Sequence, residues 1–421
     1  MSGCTVSRYC HREISMMKKK CKLAAPELAA SLLLTVILNM NAIRTILRVS
    51  NNVYTYLIFI LYFTAIGAIC CIEKKRIKAN FFISLAVLLY FIVALLYMLV
   101  YGYDEINQLL KFATCVCIAS TLGVMSHRAV INTVEYAITF STLYALYAIL
   151  FRNSLYNQLI SSGESNYLNI TLPIGLGLTL ALSRFLVNSN NPWNIAWNCI
   201  SSLIQTIALL NYSARGNLMF PFVILITLML YTGRLQLKNF PRNAILFGLV
   251  AMTMYYLLLN VANVYLMQRF SRLFLSIADE TRVPLYSFYI SYILEHANYI
   301  IGIGFGRSAE ILHATGFTEN YPHNFILELV GEGGIVGILL LLSTTIELFR
   351  AEIKWKIENE AGDKKLDLQE NNALFLYANG GLLFFLLNYF KSYSIYDGYQ
   401  LFIFIGIILS QNLKQTAKAD I

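Results

Sequence analysis

The sequence predicts an all-α, polytopic membrane protein with about twelve transmembrane helices. Its 421 residues are 57% hydrophobic and only 13% charged, and the mean hydropathy is +0.60. A soluble core of this size could not hide so much apolar surface. Apolar runs of about 16 to 23 residues recur along the chain, the length at which a helix crosses a bilayer. These runs are apolar throughout and do not alternate, which excludes a transmembrane barrel.

The predicted spans follow the apolar runs in chain order. The two weakest are the first, which contains Asn39 and Asn41, and the eighth, which is short and contains Pro221. The full set is 24–42, 53–72, 79–101, 106–125, 130–150, 168–187, 195–212, 216–231, 244–262, 325–346, 373–390 and 399–411.

The distribution of Lys and Arg predicts the orientation of these spans. With a cytoplasmic N-terminus, 22 of the 32 basic residues lie on the inside and 10 on the outside. The short outside loop 102–105 contains two acidic residues and no basic one, as this polarity prefers. Both termini are therefore expected in the cytoplasm. Cytoplasmic anchoring against anionic lipid accounts for the net charge of +9 without a nucleic-acid partner.

The chain is expected to form one membrane domain, residues 24–411, between cytoplasmic tails 1–23 and 412–421. The Lys-rich patch before the first span predicts an uncleaved signal anchor, since no small-x-small cleavage site follows it. Met16 and Met17 precede Lys18–Lys20 and resemble a natural start, so residues 1–15 are hypothesised to be an upstream misassignment. Peptides from 1–15 in N-terminal mass spectrometry would overturn that hypothesis.

Two connections between spans are long. The cytoplasmic loop 347–372 is rich in Lys and Glu and is expected to be a solvated helix or a disordered connector. The outside loop 263–324 separates spans nine and ten, and unstructured loops of this length are uncommon unless they carry function. Apolar residues at helical spacing predict an interfacial helix from Arg282 to Asn298 (Val283, Tyr286, Tyr289, Ile290, Ile293). The glycine-rich run 301–306 predicts a flexible backbone turn.

Three residues that are distant in sequence face the same outside compartment in this topology. Arg215 lies between spans seven and eight, whereas Arg282 and His323 lie in the long loop. Two guanidinium groups and one imidazole match the needs of a diphosphate-bearing substrate, because Arg binds phosphate bidentately and His titrates near neutrality. His323 could also accept a proton from a hydroxyl.

Each candidate also has a structural interpretation. Arg215 could be a snorkelling anchor at a helix end, and Arg282 could pair with Asp279 or Glu280. His323, which follows a proline, could cap a helix. Glu332 lies about two helical turns after His323 in a strongly apolar segment, a depth that is expensive for a carboxylate in lipid. It could pair with a buried polar group, and the nearby glycines could serve small-xxx-small helix packing.

The pattern around this histidine resembles a known family signature. The residues His323-Asn324-x-x-Leu327-x4-Glu332-x-Gly334-x-x-Gly337 resemble the signature of the O-antigen ligase and polymerase superfamily (WaaL and Wzy types). Matching stretches occur in order at 166–168, 213–216 and from Arg282 to Gly306. The resemblance covers roughly residues 130–410.

The resemblance implies a glycosyltransferase of the bacterial inner membrane that needs no metal or other cofactor and acts on the periplasmic face. Its donor would be an oligosaccharide on undecaprenyl diphosphate, and membrane lipids and a chain-length regulator are the further expected partners. Arg215 and Arg282 would bind the diphosphate, and His323 would act as general base on the acceptor hydroxyl, with inversion at the anomeric carbon. Asn324 and Glu332 would support substrate binding.

The sequence leaves the acceptor open. The single His323-Asn324 pair, without a second histidine two residues upstream, favours a polymerase that extends a lipid-linked repeat over a ligase that transfers glycan to the lipid A core. A polysaccharide or lipid transporter is the alternative class, and it needs ionisable residues along a pathway. Ionisable residues deep in the spans are few, and Lys111, Glu135 and Glu332 are the main candidates. A non-catalytic assembly subunit is the third class, and it predicts tolerance of His323→Ala.

Overall fold

The chain folds into a bundle of α-helices. The computed structural model describes residues 25–47, 52–73, 77, 81–101, 106–155, 168–187, 192–212, 214–232, 282–297, 299–361 and 365–419. This part contains helices, turns and two short 3₁₀ turns, with no β-strand. The helices are α1 (Ala25–Leu38), α2 (Met40–Leu47), α3 (Asn52–Glu73), α4 (Phe81–Tyr101), α5 (Ile106–Thr121), α6 (His127–Leu150), α7 (Leu168–Arg184), α8 (Pro192–Asn211), α9 (Arg215–Tyr231), α10 (Arg282–His296), α11 (Ser308–Ala314), α12 (Phe325–Ala361), α13 (Lys365–Tyr389) and α14 (Tyr399–Ala419). The all-α prediction is confirmed for this part.

Five of the described helices are long and apolar enough to cross a membrane, or six if α1 and α2, which meet at 74°, form one bent span. The five segments are Tyr54–Ile72, Phe82–Tyr101, Ile106–Val124, His127–Leu150 and Phe325–Ile357. The chain is therefore consistent with a membrane protein. Every predicted span except 244–262 falls on a helix, and 244–262 lies outside the described residues. The count of about twelve spans stays a prediction.

The helix α7 contains polar residues because it lies inside the bundle and not against lipid. It packs against α2, α6, α8, α9 and α13, so its residues face protein on nearly all sides. Thr171 and Thr179 are therefore tolerated there: Thr171 accepts a hydrogen bond from Asn217 at 2.8 Å, and Thr179 donates to a backbone carbonyl of its own helix. By contrast, α4 exposes Leu99 and Val100 at its end, as a lipid-facing helix would.

The helix α12 is broken at Gly334, which has φ 56° and ψ −137°. A Cβ on Gly337 would lie 2.1 Å from the carbonyl oxygen of Leu329. In a straight helix, eight residues would separate these positions by about 12 Å along the axis. The predicted continuous span 325–346 is therefore two helical segments at a sharp bend, 325–333 (α12a) and 335–361 (α12b). The cause is the glycine, since few other residues adopt this conformation.

The glycine turn that follows α10 packs against this break. Ile303 donates its backbone N–H to the Gly331 carbonyl at 2.8 Å, and Ile335 donates to the Tyr299 carbonyl at 3.0 Å. Gly302 has φ 69°, and a Cβ there would lie 2.3 Å from the Gly331 oxygen. The turn predicted at 301–306 is confirmed. Its function is to satisfy backbone groups that the broken helix leaves open.

The two long predicted loops are partly helical. Residues 263–281 lie outside the described residues, and the remainder of that loop contains α10 and α11. The helix predicted from Arg282 is confirmed, but its buried face is formed by Leu285 and Tyr289, while Val283 and Ile290 are exposed. Apolar residues surround most of α10, so periodicity could not select the face. The predicted connector 347–372 is helical where it is described, within α12b and α13.

Candidate functional site

The site is built around His323, which lies immediately before α12a. Its backbone has φ 54°, a conformation that few non-glycine residues adopt. The Tyr286 hydroxyl donates to the His323 carbonyl oxygen at 3.4 Å, and the rings of Tyr321 and His323 meet edge to face with centroids 4.6 Å apart. The imidazole Nδ1 is buried and has no hydrogen-bond partner in the described part of the chain. Such strain with an unpartnered polar atom is typical of a functional position.

The surroundings of His323 favour its neutral form. Burial lowers the pKa of His323 below its ordinary value of 6.5, and the positive charge of Arg282 lowers it further. The carboxylate of Glu319 and a hydrogen bond with the Ser392 backbone raise the pKa without reversing the shift. A neutral imidazole at neutral pH can accept a proton, which a protonated one cannot.

Arg282, the first residue of α10, lies beside His323. Its Nη1 donates to the Lys391 carbonyl oxygen at 2.5 Å, and its Nη2 lies 3.4 Å from the Ser392 hydroxyl. Both acceptors are neutral, so neither compensates the positive charge of the guanidinium. The alternative pairing with Asp279 or Glu280 lies outside the described residues. The Tyr321 hydroxyl donates to the Ser392 carbonyl at 2.7 Å, so residues 390–395 (the α13–α14 segment) connect the arginine to the histidine.

Arg215 begins α9 next to the same segment, although its side chain lies outside the described part of the structure. The neighbouring Gly216 shows the proximity: a Cβ there would lie 3.6 Å from the Lys391 Nζ. The α13–α14 segment thus contacts Arg282 through the Lys391 carbonyl and the start of α9 through the Lys391 ammonium. Arg282 lies close enough to His323 for its charge to lower the pKa of the imidazole, and Gly216, the residue after Arg215, lies near the Lys391 Nζ.

Lys391 is a member of the site that the sequence argument did not single out. The predicted topology already placed it outside, at the end of span eleven and on the same face as Arg215, Arg282 and His323. The signal was a cation immediately after an apolar span, which also describes a snorkelling anchor. The structure draws attention to Lys391, because its carbonyl accepts a hydrogen bond from Arg282 and its Nζ lies near Gly216.

Glu328, also missed, fixes the α13–α14 segment from α12a. One carboxylate oxygen accepts from the Ser394 hydroxyl at 2.7 Å and the other from the Ile395 backbone N–H at 2.8 Å. The side chain is 2% exposed. Its spacing of four residues before Glu332 placed both carboxylates on one helix face, a signal visible in the sequence. Glu328 therefore positions the backbone that holds Arg282 and Tyr321.

Asn324 caps α12a. Its side-chain oxygen accepts from the backbone N–H groups of Ile326 at 3.0 Å and Leu327 at 3.2 Å. These are donors that the start of a helix leaves without an internal partner. The cap fixes the point at which α12a begins and thus the position of His323. Its expected contact with substrate stays a prediction.

Glu332 is a buried clamp between α12a and the glycine turn. Its two oxygens accept from the backbone N–H of Gly306 at 2.9 Å, the N–H of Ser308 at 3.2 Å, the Ser308 hydroxyl at 2.5 Å and the Tyr396 hydroxyl. The residue is 2% exposed. All its acceptor positions point at protein donors, so the geometry favours a structural contribution over the substrate contact expected from the sequence.

An apolar cavity of about 730 Å³ begins beside the site. Phe325 and Leu329 of α12a line one end, and Glu352 with Asn379 lines the other, so the cavity follows α12b. Its walls come from α4, α5, α13 and α14. The ring centroids of Phe325 and Phe390 lie 5.1 Å apart. Phe325 follows Asn324 in the chain, and Phe390 precedes Lys391. Two lining residues of the cavity, Phe325 and Ile395, therefore lie within a few residues of His323 and of Lys391 in the chain.

Together these features define a class: an α-helical protein with helices long and apolar enough to cross a membrane, carrying a half-buried histidine beside an arginine and near an apolar cavity. The particular family is not shown. No protein-family model matches the chain, and no curated protein matches it.

Proposed function

We propose that this protein is a membrane glycosyltransferase, a surface-polysaccharide polymerase of the O-antigen type that uses undecaprenyl-diphosphate-linked saccharide. The observation that carries the proposal is that Arg282 and His323 lie against the same α13–α14 segment, next to residues that line the apolar cavity. A substrate with an anionic head and a long apolar tail matches both parts. The diphosphate would lie at the cations, and part of the prenyl chain would occupy the cavity.

The proposed reaction is one direct displacement. His323 takes the proton of the acceptor hydroxyl as that oxygen forms a bond to the anomeric carbon. The bond between the anomeric carbon and the diphosphate oxygen breaks on the opposite face, and its electron pair stays on the diphosphate. Arg215 and Arg282 stabilise that developing charge. The products are the elongated glycan, with inverted anomeric configuration, and free polyprenyl diphosphate.

The proposal includes the wider arrangement expected from the sequence. About twelve spans would cross the inner membrane, with both termini in the cytoplasm and the site in the periplasm. The donor and the acceptor would both arrive by diffusion within the membrane. A half-buried imidazole whose Nδ1 has no hydrogen-bond partner among the described residues, and whose pKa is lowered, supports catalysis, because it is neutral and available to accept a proton.

The test is complementation of a deletion strain, with the surface polysaccharide separated on a gel. Wild type should restore a full ladder, His323→Ala should not, and the exposed His313→Ala is the matched control that should restore it. A deletion ladder that collapses to core plus one repeat supports a polymerase. Loss of all repeats from lipid A core, with polymer still on the carrier, would instead identify a ligase. A full ladder from His323→Ala would refute the catalytic proposal.

Arg282 provides a second arm of the same test. Arg282→Ala should abolish the ladder while the protein still inserts, and Arg282→Lys should restore it only partly, because an ammonium cannot reproduce the forked contact. A normal ladder from the alanine variant would exclude Arg282 from the diphosphate site.

A further inference from the structure

The two parts of α12 differ in what surrounds them. No residue of α12a is exposed, and Glu328 and Glu332 are each 2% exposed. Exposure begins at Ile335, the first residue after the break at Gly334, which is 50% exposed. Protein therefore encloses α12a, and the outward surface of α12 belongs to α12b.

That surface is an apolar stripe along one face of α12b. Its members recur every three or four residues, which is the spacing of one helix face, and each is between 39% and 65% exposed (Ile335, Ile338, Leu339, Leu342, Ile346, Phe349, Ile353 and Ile357). The stripe continues past residue 346, the predicted end of this span, as far as Ile357.

We infer that the bilayer hydrocarbon contacts α12 along this stripe, from Ile335 to Ile357, and not along the predicted span 325–346. The inference concerns the lipid partner and does not depend on the proposed reaction. From Ile335 to Ile357 the helix rises about 33 Å. This length matches a hydrocarbon core of about 30 Å.

Contacts with neighbouring helices place the cytoplasmic end of the stripe independently. The Trp355 ring stacks on Phe375 with centroids 3.4 Å apart, and the Tyr231 ring stacks on Phe375 with centroids 5.7 Å apart. Tyr231 ends α9, and Phe375 lies at the start of the predicted span 373–390, so both mark the cytoplasmic boundary in the predicted orientation. Aromatic rings are enriched at that boundary. Trp355 therefore lies at the membrane interface and not in a solvated connector.

The charged residues of α12b agree with this placement. Residues 335–346 contain none, and the first is Glu347, which is 6% exposed and pairs with Arg350. Pairing lowers the cost of a carboxylate at this depth. Arg350 and the exposed Lys356 have side chains long enough to extend to the head groups, where anionic lipid attracts them.

The composition of the stripe favours lipid over a second copy of the chain. Helix pairs in membranes associate through small residues, which permit close approach, or through polar residues, which form hydrogen bonds. The stripe consists of Ile, Leu and Phe alone. Lipid tails are as apolar as these side chains, so a second helix would offer them no advantage.

The experiment places single nitroxide labels along the stripe of a cysteine-free variant in vesicles of phosphatidylethanolamine and phosphatidylglycerol. Collisions of each label with oxygen, which concentrates in hydrocarbon, are compared with collisions with a water-soluble nickel chelate. A label at Ile92, exposed in the middle of α4, is the lipid reference, and a label at the exposed Glu310 of α11 is the water reference. Helical circular dichroism checks that each labelled variant is folded.

We expect the ratio of oxygen to chelate collisions to be highest at Leu342 or Ile346 and to stay above the Glu310 value at Ile353. A highest ratio at Ile335, with the Glu310 value at Ile353, would match the predicted span 325–346 and would overturn the inference. Low access of both reagents along the stripe, with magnetic broadening between labels on separate chains, would identify a second copy and would also overturn it.

A second measurement keeps the native cysteines in place. Ile353→Trp is compared with Glu310→Trp for quenching of tryptophan fluorescence by lipids with brominated acyl chains. The inference predicts stronger quenching in Ile353→Trp, and equal quenching in the two variants would contradict it.

Discussion

The clamp formed by Glu332 gives the most quantitative prediction. Its two oxygens accept from two backbone amides, Gly306 and Ser308, and from two hydroxyls. In Glu332→Gln one oxygen becomes an NH₂ group. The hydroxyls can rotate to accept from it, but a backbone N–H cannot. Whichever way the amide turns, one backbone donor loses its acceptor, which costs about 1–3 kcal/mol.

Glu332→Ala removes the acceptors of both backbone amides, so we expect about twice that loss, roughly 2–6 kcal/mol. The matched control is Glu310→Gln, an exposed carboxylate on α11 that pairs with Arg307 at 3.0 Å. Loss of this pair should change stability by no more than about 1 kcal/mol. The order expected is therefore Glu310→Gln, then Glu332→Gln, then Glu332→Ala.

The assay is an SDS titration of the purified protein in mixed micelles, followed by helical circular dichroism. Hydrogen exchange measured on peptides from 299–308 reports the clamp directly, since the Gly306 and Ser308 amides should lose protection in Glu332→Gln. If Glu332→Gln unfolds like Glu310→Gln and both amides stay protected, the carboxylate does not hold the glycine turn and the reasoning is wrong.

Three further predictions concern the same region. Gly302→Ala should disrupt the turn, because its Cβ would lie 2.3 Å from the Gly331 oxygen. Gly316→Ala, at φ 88° in open space, should cost only the backbone strain of about 1–2 kcal/mol. Thermal unfolding of both variants in detergent compares the two losses of stability. Transfer activity should fall on acidification with a midpoint below pH 6.5, because the pKa of His323 is lowered and protonation removes the base. A rate profile from pH 4 to 8 with a midpoint above 6.5 would contradict this. Asn324→Ala should destabilise the protein by about 1 kcal/mol through loss of the cap, and Asn324→Asp should restore it.

Hydropathy and helical spacing predicted most of the fold, because long apolar runs admit few other structures. They could not predict the break at Gly334, since a glycine in an apolar run is equally compatible with a continuous helix. They also could not choose the buried face of α10, where Leu285 and not Val283 meets the core. The central position of α7 was not predictable either, because the helices that surround it are distant in sequence.

The functional assignment of the site stays a prediction. Arg282 and His323 lie near one another, and the sequence had placed both in the same predicted outside loop. Glu332 was noticed because a carboxylate in an apolar segment is unusual, but its partners are backbone amides of a loop that no spacing rule connects to it. Lys391 lay on the predicted face without a pattern of its own. Its significance depends on distances between three separate segments, which one sequence does not contain.

The break at Gly334 lets the two parts of α12 run in different directions, while the glycine turn binds the backbone on both sides of the break. The short α12a is tied through Glu328 and Glu332 to the α13–α14 segment and the glycine turn, so its surroundings fix it. The long α12b faces the cavity and would meet the hydrocarbon of a bilayer. Membranes differ in thickness by several ångströms, and long helices adapt by tilting. We expect a change in the tilt of α12b to act first on the backbone at Gly334 and on the hydrogen bond from Ile335 to Tyr299, and to reach His323 only through them.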